Sequence, residues 1–522
     1  MTSASPDLSR RRGGRSARQA LRAQPLTRDA RPVHPGMENG NYRPLSEPDV
    51  QKIHHAILHV LENVGFSKAP PSCVEAITAV GGVMGDDGRL RLPPALVEDT
   101  IANANRDFQL CGQKPEYDMS PHGKRLYFGT GGAAINIVDA ETGDFRESTM
   151  KDLFDIARMV DGLEHIHYCQ RPVVVRDTET SRDLDFNTLY ACVSGTSKHV
   201  GTSFVNPAHV TEALEMLHMI AGGEKQWRER PFVSQSNCFV VPPMTFEANA
   251  CAILETAARG GMPVLLLSAG QAGATAPAAL AGAVVQATAE TLMGLVYINA
   301  VVPKAKCMIG IWPFVSDLRT GSMSGGSGEQ ALLMSAAGQM GRFYDLPTSV
   351  ASAMTDSKIP DAQSGSEKGY NHALVANAGT NLIQESAGMH ASLLAFCYES
   401  LVIDNDTIGA VQRTIRGIDV NDETLSLDVI SETCERGPGH YLGHNQTIER
   451  MQSDYVYPVV GDRMSPNEWT ENGSQSVVQR ARVESQNLLD NHWPDHISTD
   501  LDQAIRDKFN VKLPLSERFK SK

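Results

Sequence analysis

From Tyr127 onward, short apolar and β-branched segments alternate with longer segments whose apolar positions recur at helical spacing. The strand-like segments fall near 127–138, 165–175, 198–205, 231–240, 263–268, 306–312, 348–354 and 380–386. Segments of helical character lie between them, among them 150–160, 184–193, 210–221, 246–258, 278–300 and 330–343. Eight strands, each followed by a helix, predict parallel strands with right-handed crossovers. Eight such units can close an α/β (β/α)8 TIM barrel, placed here over residues 121–417. A doubly wound open sheet is the competing arrangement. Ahead of the barrel, Ile53, Ile57, Leu58, Leu61 and Val64 form a helical stripe that Gly65 ends. Further helices near 72–80 and 94–104 complete an N-terminal helical segment, 41–120, packed on the barrel. Beyond about residue 418 the alternation stops, and residues 418–522 read as a C-terminal extension that wraps the barrel.

The most polar strand-to-helix junction is 349–371, reading SVASAMTDSKIPDAQSGSEKGYN. A strand end leads into a turn with Asp356, Ser357 and Lys358, and a helix is expected to start at Pro360, since proline suits a first helical position. Gln363, Glu367 and Tyr370 then share one helix face. An ordinary exposed loop would read the same way.

Composition narrows the class. The 522 residues are 41% hydrophobic and 21% charged, as in a soluble globular protein. A net charge of −14 argues against broad nucleic-acid binding. Residues 1–36 hold eight Arg against two Asp, a local +6 that leaves −20 on the rest. Residues 1–40 read as a flexible Arg-rich arm for an acidic neighbour, with no secretory signal. The nine Cys form no C-x-x-C pair, and Cys169, Cys238, Cys307 and Cys397 lie in apolar runs, as buried reduced thiols of a cytoplasmic protein would. The longest apolar region, 275–302, holds Gln286, Glu290 and Thr291 and reads as a packed helix, with no membrane span expected.

Active sites of such barrels gather at the C-terminal ends of the strands. Those ends carry Gly129–Gly132, Arg171, Phe204, Asn237, Phe239, Trp312, Phe314, Arg319, Asp356, Asp361, Gln363, Glu385 and His390. Gly129-Thr-Gly131-Gly-Ala-Ala134 has G-x-G-x-x-A spacing, but strand continues after it, so it reads as a Gly-rich bend that a bulky ligand could approach. Gly321–Gly328 lacks the Lys of a P-loop. No G-x-S-x-G or H-E-x-x-H occurs, which argues against the common hydrolases. His167 and Cys169 could belong to a thiol-activating zinc site, and His440 and His444 to a metal pair, but neither set shows a further ligand, and no metal is expected on this chain. Aromatic side chains around a cation form the usual receptor for quaternary ammonium, which suits Trp312, Phe314, Phe204 and Phe239. Arg319 could take a carboxylate bidentately.

Four blocks carry a family resemblance: LSEPDVQKIHHAILHVLENVGF at 45–66, TDSKIPDAQSGSEK at 355–368, NLIQESAGMH at 381–390 and GHYLGHNQTIERMQSDYVYPVVGDR at 439–463. With these the chain resembles the trimethylamine methyltransferase (MttB-like) family over roughly residues 40–512. The resemblance implies a (β/α)8 barrel that moves a methyl group from a methylamine to the cobalt of a separate corrinoid protein. Founding members carry pyrrolysine in the barrel mouth, a position expected in or near 355–358. This chain shows only standard residues there, as do the glycine betaine methyltransferases, so a quaternary amine such as glycine betaine is the expected substrate.

That reading gives Asp356, Asp361, Gln363 and Glu385 the catalytic tasks of orientation and electrostatic stabilisation. It gives Phe204, Asn237, Phe239, Trp312, Phe314, Arg319, Tyr370 and His390 to the substrate. Gly129, Gly131, His440 and Tyr441 are expected to face the corrinoid (cobalamin) carried by the partner. A homo-oligomer is expected. A zinc-dependent thiol methyltransferase and a non-catalytic betaine-binding barrel are the alternatives.

Overall fold

The computed structural model describes residues 31, 33–38, 40–437 and 439–519; most of the Arg-rich arm lies outside them. Eight strands line the core: β1 (Arg125–Phe128), β2 (Tyr168–Gln170), β3 (His199–Thr202), β4 (Val233–Cys238), β5 (Val264–Ser268), β6 (Cys307–Ile311), β7 (Thr348–Ala351) and β8 (Leu382–Gln384). Each is followed by a principal helix: α1 (Met150–Gly162), α2 (Ser181–Gly195), α3 (Pro207–Ala221), α4 (Ala248–Arg259), α5 (Leu280–Val301), α6 (Gly328–Tyr344), α7 (Ala362–Ala376) and α8 (Tyr398–Arg416). Neighbouring strands pair in parallel from β2 round to β8 and β1. The ring closes through a parallel bridge between Gly129 and Tyr168 and a 2.7 Å bond from His167 N to Phe128 O. The fold is therefore the eight-stranded barrel and not an open sheet.

Register separates the two strand faces, because paired residues of a parallel ladder point the same way. A Cβ on Gly341 of α6 would strike the Thr348 side chain, so Thr348 faces the helices and Ser349 faces the lumen. Carried round the ladder, this puts Gly310 with Ser349, Leu267 with Gly310, Cys238 with Leu267, and Gln384 with Ala351 on the lumen side. Tyr168 and Gln170, opposite His199 and Gly201, complete that face.

The N-terminal helices Glu47–His59, Pro71–Ala79 and Pro94–Asn103 pack on α5, so this long apolar helix is buried between them and the barrel. Residues 105–120 then cross the N-terminal ends of the strands. Gln113 N donates to Ser197 O, Ser120 N to the Tyr127 hydroxyl, and Arg230 pairs with Asp118 at 2.8 Å. The barrel is thereby covered at its lower end.

After α8 the chain runs back over the outer helices. Helix Val477–Asn491 lies along α8 and α1, with Arg482 on Glu399 at 2.9 Å and His492 on Asp161 at 2.7 Å. Helix Thr499–Lys508 follows, and its Asp502 accepts from the Tyr190 hydroxyl of α2 at 2.5 Å.

Candidate active site

β8 sets up the site. Alternation along a strand should turn Glu385 away from the lumen after the lumen-facing Gln384, but Glu385 takes φ 64°, in the left-handed region. Its carboxyl meets Gly131 and Gly132 of the bend after β1: a Cβ on Gly131 would lie 3.5 Å from Glu385 Oε1, and one on Gly132 would lie 2.7 Å from Oε2. Gly132 itself has φ 107°, so this close approach requires glycine twice over. The backbone N–H of Glu385 donates to Thr130 O at 3.3 Å and holds the turn against β1.

The Glu385 side chain is buried, and no described donor or cation reaches its carboxyl. Burial alone pushes its pKa up to about 8. Nearby, Tyr168 leans across the lumen over Gly129 and donates its hydroxyl to Ile383 O at 3.0 Å. The side chain of Gln170 fills the space left by Gly201, where any Cβ would overlap its oxygen. The amide oxygen of Gln384 has no partner.

Cys238, on the lumen face of β4, is exposed, so the mouth is open down to that level. This corrects the expectation that Cys238 is a buried thiol. Surrounding protein and then the Glu290 and Glu385 carboxylates push its thiol up to about 12, which keeps it protonated and a poor nucleophile. Trp312 extends the lumen face of Met308 and Gly310. Its indole N–H donates to Ser349 O at 3.1 Å, and its ring meets Phe314 edge-on at 6.1 Å between centroids.

The next shell is a set of loop ties. Asp356 accepts from Ser324 Oγ at 2.6 Å, Gly325 N at 2.8 Å and Ser392 Oγ, joining the loops after β6, β7 and β8. Glu367 on α7 accepts from Thr355 Oγ1 at 2.5 Å, Asp356 N at 2.8 Å and Gln363 Nε2 at 2.7 Å. Tyr370 donates its hydroxyl to Gly326 O. The segment around 355–358 is thus fastened on both sides beside the Glu385 turn.

Other expected residues lie elsewhere. Asp361 is the N-cap of α7, receiving Ser364 N at 2.8 Å in a reciprocal capping box, so the helix starts one residue after it and not at Pro360. Its side chain and that of Gln363 are exposed. His390 is buried between Ser400 Oγ at 2.6 Å and Ser357 O at 3.3 Å, and burial holds its ring well below the ordinary histidine value.

Phe239 points outward, since a Cβ on Gly294 of α5 would strike its ring. Asn237 shares its strand face with Leu266, the helix-facing side on which Ser268 reaches Glu290 of α5 at 2.5 Å. Phe204 is buried but makes no ring contact with Trp312 or Phe314 among the described residues. Arg319 stands on the rim, 88% exposed, with its fork on the Asp317 carboxylate at 2.7 and 3.0 Å.

His440 and Tyr441 are exposed in the segment that follows the far end of α8, where Arg413 and Arg416 bind the Ser453 and Asp454 carbonyls. A barrel helix runs antiparallel to its strand, so that end lies opposite the mouth. His444 caps helix Asn445–Ser453 instead of pairing with His440 across a metal. His167 is held by Phe128 N and Cys169 lies beside Cys192 of α2, so both face the helices. Among the described residues no three His, Cys, Asp or Glu side chains come together to hold a metal.

Sequence reasoning missed Tyr168, Gln170, Gly201 and Cys238. Glycine within strand 3 was the available signal, because it marks a close approach by another group.

Known proteins bear on this barrel. A protein-family model described as Trimethylamine methyltransferase (MTTB) matches residues 11–512. The trimethylamine methyltransferase MttB2 of Methanosarcina mazei is 32% identical over 472 residues, covering 88% of this chain and 94% of that protein. MttB of Desulfitobacterium hafniense (strain DSM 10664 / DCB-2) is 30% identical over 464 residues, 88% of this chain and 92% of the relative. The glycine betaine methyltransferase of Desulfitobacterium hafniense (strain Y51) is 26% identical over 467 residues, 89% and 96% respectively. The chain belongs to the trimethylamine methyltransferase (MTTB) family and is a methyltransferase.

Proposed function

We propose that the protein removes a methyl group from glycine betaine or a related quaternary amine and passes it to the Co(I) of a separate corrinoid protein. The observation that carries this reading is the unpaired Glu385 carboxyl, in a lumen that holds Trp312 and lacks an activated nucleophile. A quaternary ammonium supplies the charge Glu385 lacks and an apolar shell for the Trp312 face. A Co(I) corrinoid, when docked, supplies the attacking electron pair. Gly131 serves the Glu385 turn, since a Cβ there would lie 3.1 Å from the Glu385 backbone nitrogen.

The chain's own contribution is positional. Glu385 and Trp312 orient the cation with one methyl toward the mouth, the seated amine displaces water from around them, and the C–N bond leaves its electron pair on nitrogen. The departing group is a neutral tertiary amine, so no acid is needed for it to leave. This chemistry suits a site whose carboxyl is not paired with a base. Purified protein, a Co(I) corrinoid and glycine betaine should together give loss of the Co(I) absorption and release of dimethylglycine. No spectral change with any quaternary amine would sink the proposal.

A further inference from the structure

Glu385 differs from a structural carboxyl in three ways. Its left-handed backbone turns it inward, Gly132 clears the space beside its Oε2, and that buried Oε2 has no partner. A buried carboxyl in that state is either neutral or held for a cation. The titratable groups facing it are Tyr168 from β2, which burial keeps neutral, and Cys238 from β4, whose thiol the surrounding protein and the nearby Glu290 keep protonated. Thr130, Gly131 and Gly132 after β1, and Gln384 and Met389 around β8, bring no charge. Among the described residues, none that faces the lumen therefore compensates an ionised Glu385.

We propose that Glu385 carries a proton in the empty enzyme and that a quaternary ammonium entering the lumen expels it to solvent, coupling cation binding to release of one proton. The inference rests on the reading that such amines bind in this lumen. The balance is simple: the carboxyl O–H breaks, its electron pair stays on Glu385, and the proton goes to buffer. A quaternary ammonium has no N–H, so the proton can come only from the protein. Charge matching then becomes a specificity device, because a neutral ligand of the same shape gains nothing from a neutral carboxyl.

The test is titration calorimetry of the full chain with glycine betaine at pH 7 in phosphate and in Tris, whose ionisation enthalpies differ. With a pKa near 8, about 0.9 proton should leave per site, and Kd should fall about tenfold per pH unit between pH 6 and 7.5. Glu385→Gln should abolish both effects. 3,3-Dimethylbutanoate, which keeps the carboxylate but has a neutral tert-butyl group, should release no proton. On the unmodified protein, infrared difference spectra should show loss of a protonated-carboxyl band when betaine binds, which keeps the idea testable if Glu385→Gln does not fold. Betaine binding with no proton release and a pH-independent Kd overturns the inference and leaves the lumen as the binding site. Proton release that persists in Glu385→Gln also overturns it. Failure of every quaternary amine to bind overturns the proposed function itself.

Discussion

Replacing Lys368 by Met should cost more stability than any substitution on the barrel rim. Lys368 on α7 and Asp404 on α8 are 2.6 Å apart with side chains 4% and 2% exposed, so water screens neither. Asp404 also accepts from Gly388 N at 2.7 Å, three residues past Glu385. The pair therefore ties two helices to the turn that aims the candidate catalytic carboxyl. Removing the cation leaves a buried carboxylate with one backbone donor, and breaking such a pair typically costs about 3–5 kcal/mol. That is a large fraction of the roughly 5–15 kcal/mol holding a typical domain folded. Removing both charges, as Lys368→Met with Asp404→Leu, leaves only the Gly388 N–H unpaired, at about 1–3 kcal/mol. The double variant should thus be more stable than Lys368→Met alone, the signature of a coupled pair. Urea unfolding followed by far-ultraviolet circular dichroism at pH 7 reads all four proteins of the cycle. A Lys368→Met loss under about 1 kcal/mol, or a double variant less stable than the single one, would refute the reasoning that this pair is desolvated and coupled.

Trp312→Ala should weaken quaternary-ammonium binding about 3- to 30-fold, the range of a lost cation–π contact, and an unchanged Kd would move the ammonium subsite elsewhere. Gly132→Ala places a methyl group 2.7 Å from Glu385 Oε2 at a backbone φ of 107°, and calorimetry should show betaine affinity lost. Glu385 has a folded pKa near 8 against an ordinary 4.5, so its stabilising contribution is full below pH 4.5 and is lost as pH rises through 8. Relative to Glu385→Gln, the native protein should lose on the order of 1.4 kcal/mol per pH unit inside that window; parallel urea midpoints for the two proteins at pH 5.5 and pH 8 would contradict this. Asp361→Ala removes a helix cap worth about 1 kcal/mol and should lower the urea midpoint while leaving betaine affinity alone; a loss of affinity would return Asp361 to the site.

The barrel was legible because its strands are short apolar runs set apart by helices of recognisable period, and each unit repeats that contrast. The blocks at 355–368 and 381–390 do fall on the ends of β7 and β8, and Glu385 could be named from position alone. What sequence could not supply was the facing of each strand end. Asn237 and Cys238 end β4 and Phe239 comes next, yet only register, fixed by neighbours far away in the chain, puts Cys238 inside and the other two against the helices. The alternation Ser234, Ser236, Cys238 held that information but looked like an ordinary polar strand. His440 and Tyr441 failed for a different reason: nothing local tells a returning tail which end of the barrel it will reach.

The covering of the lower strand ends by residues 105–120 makes the barrel, among the described residues, a well that opens at its mouth. Under the proposed reaction, amine, leaving product and methyl acceptor all need that opening. The amine must then be seated before the acceptor protein docks, and the demethylated product can leave only after it departs. Such a turnover would be compulsorily ordered, and excess acceptor protein should then inhibit by sealing the well before it fills.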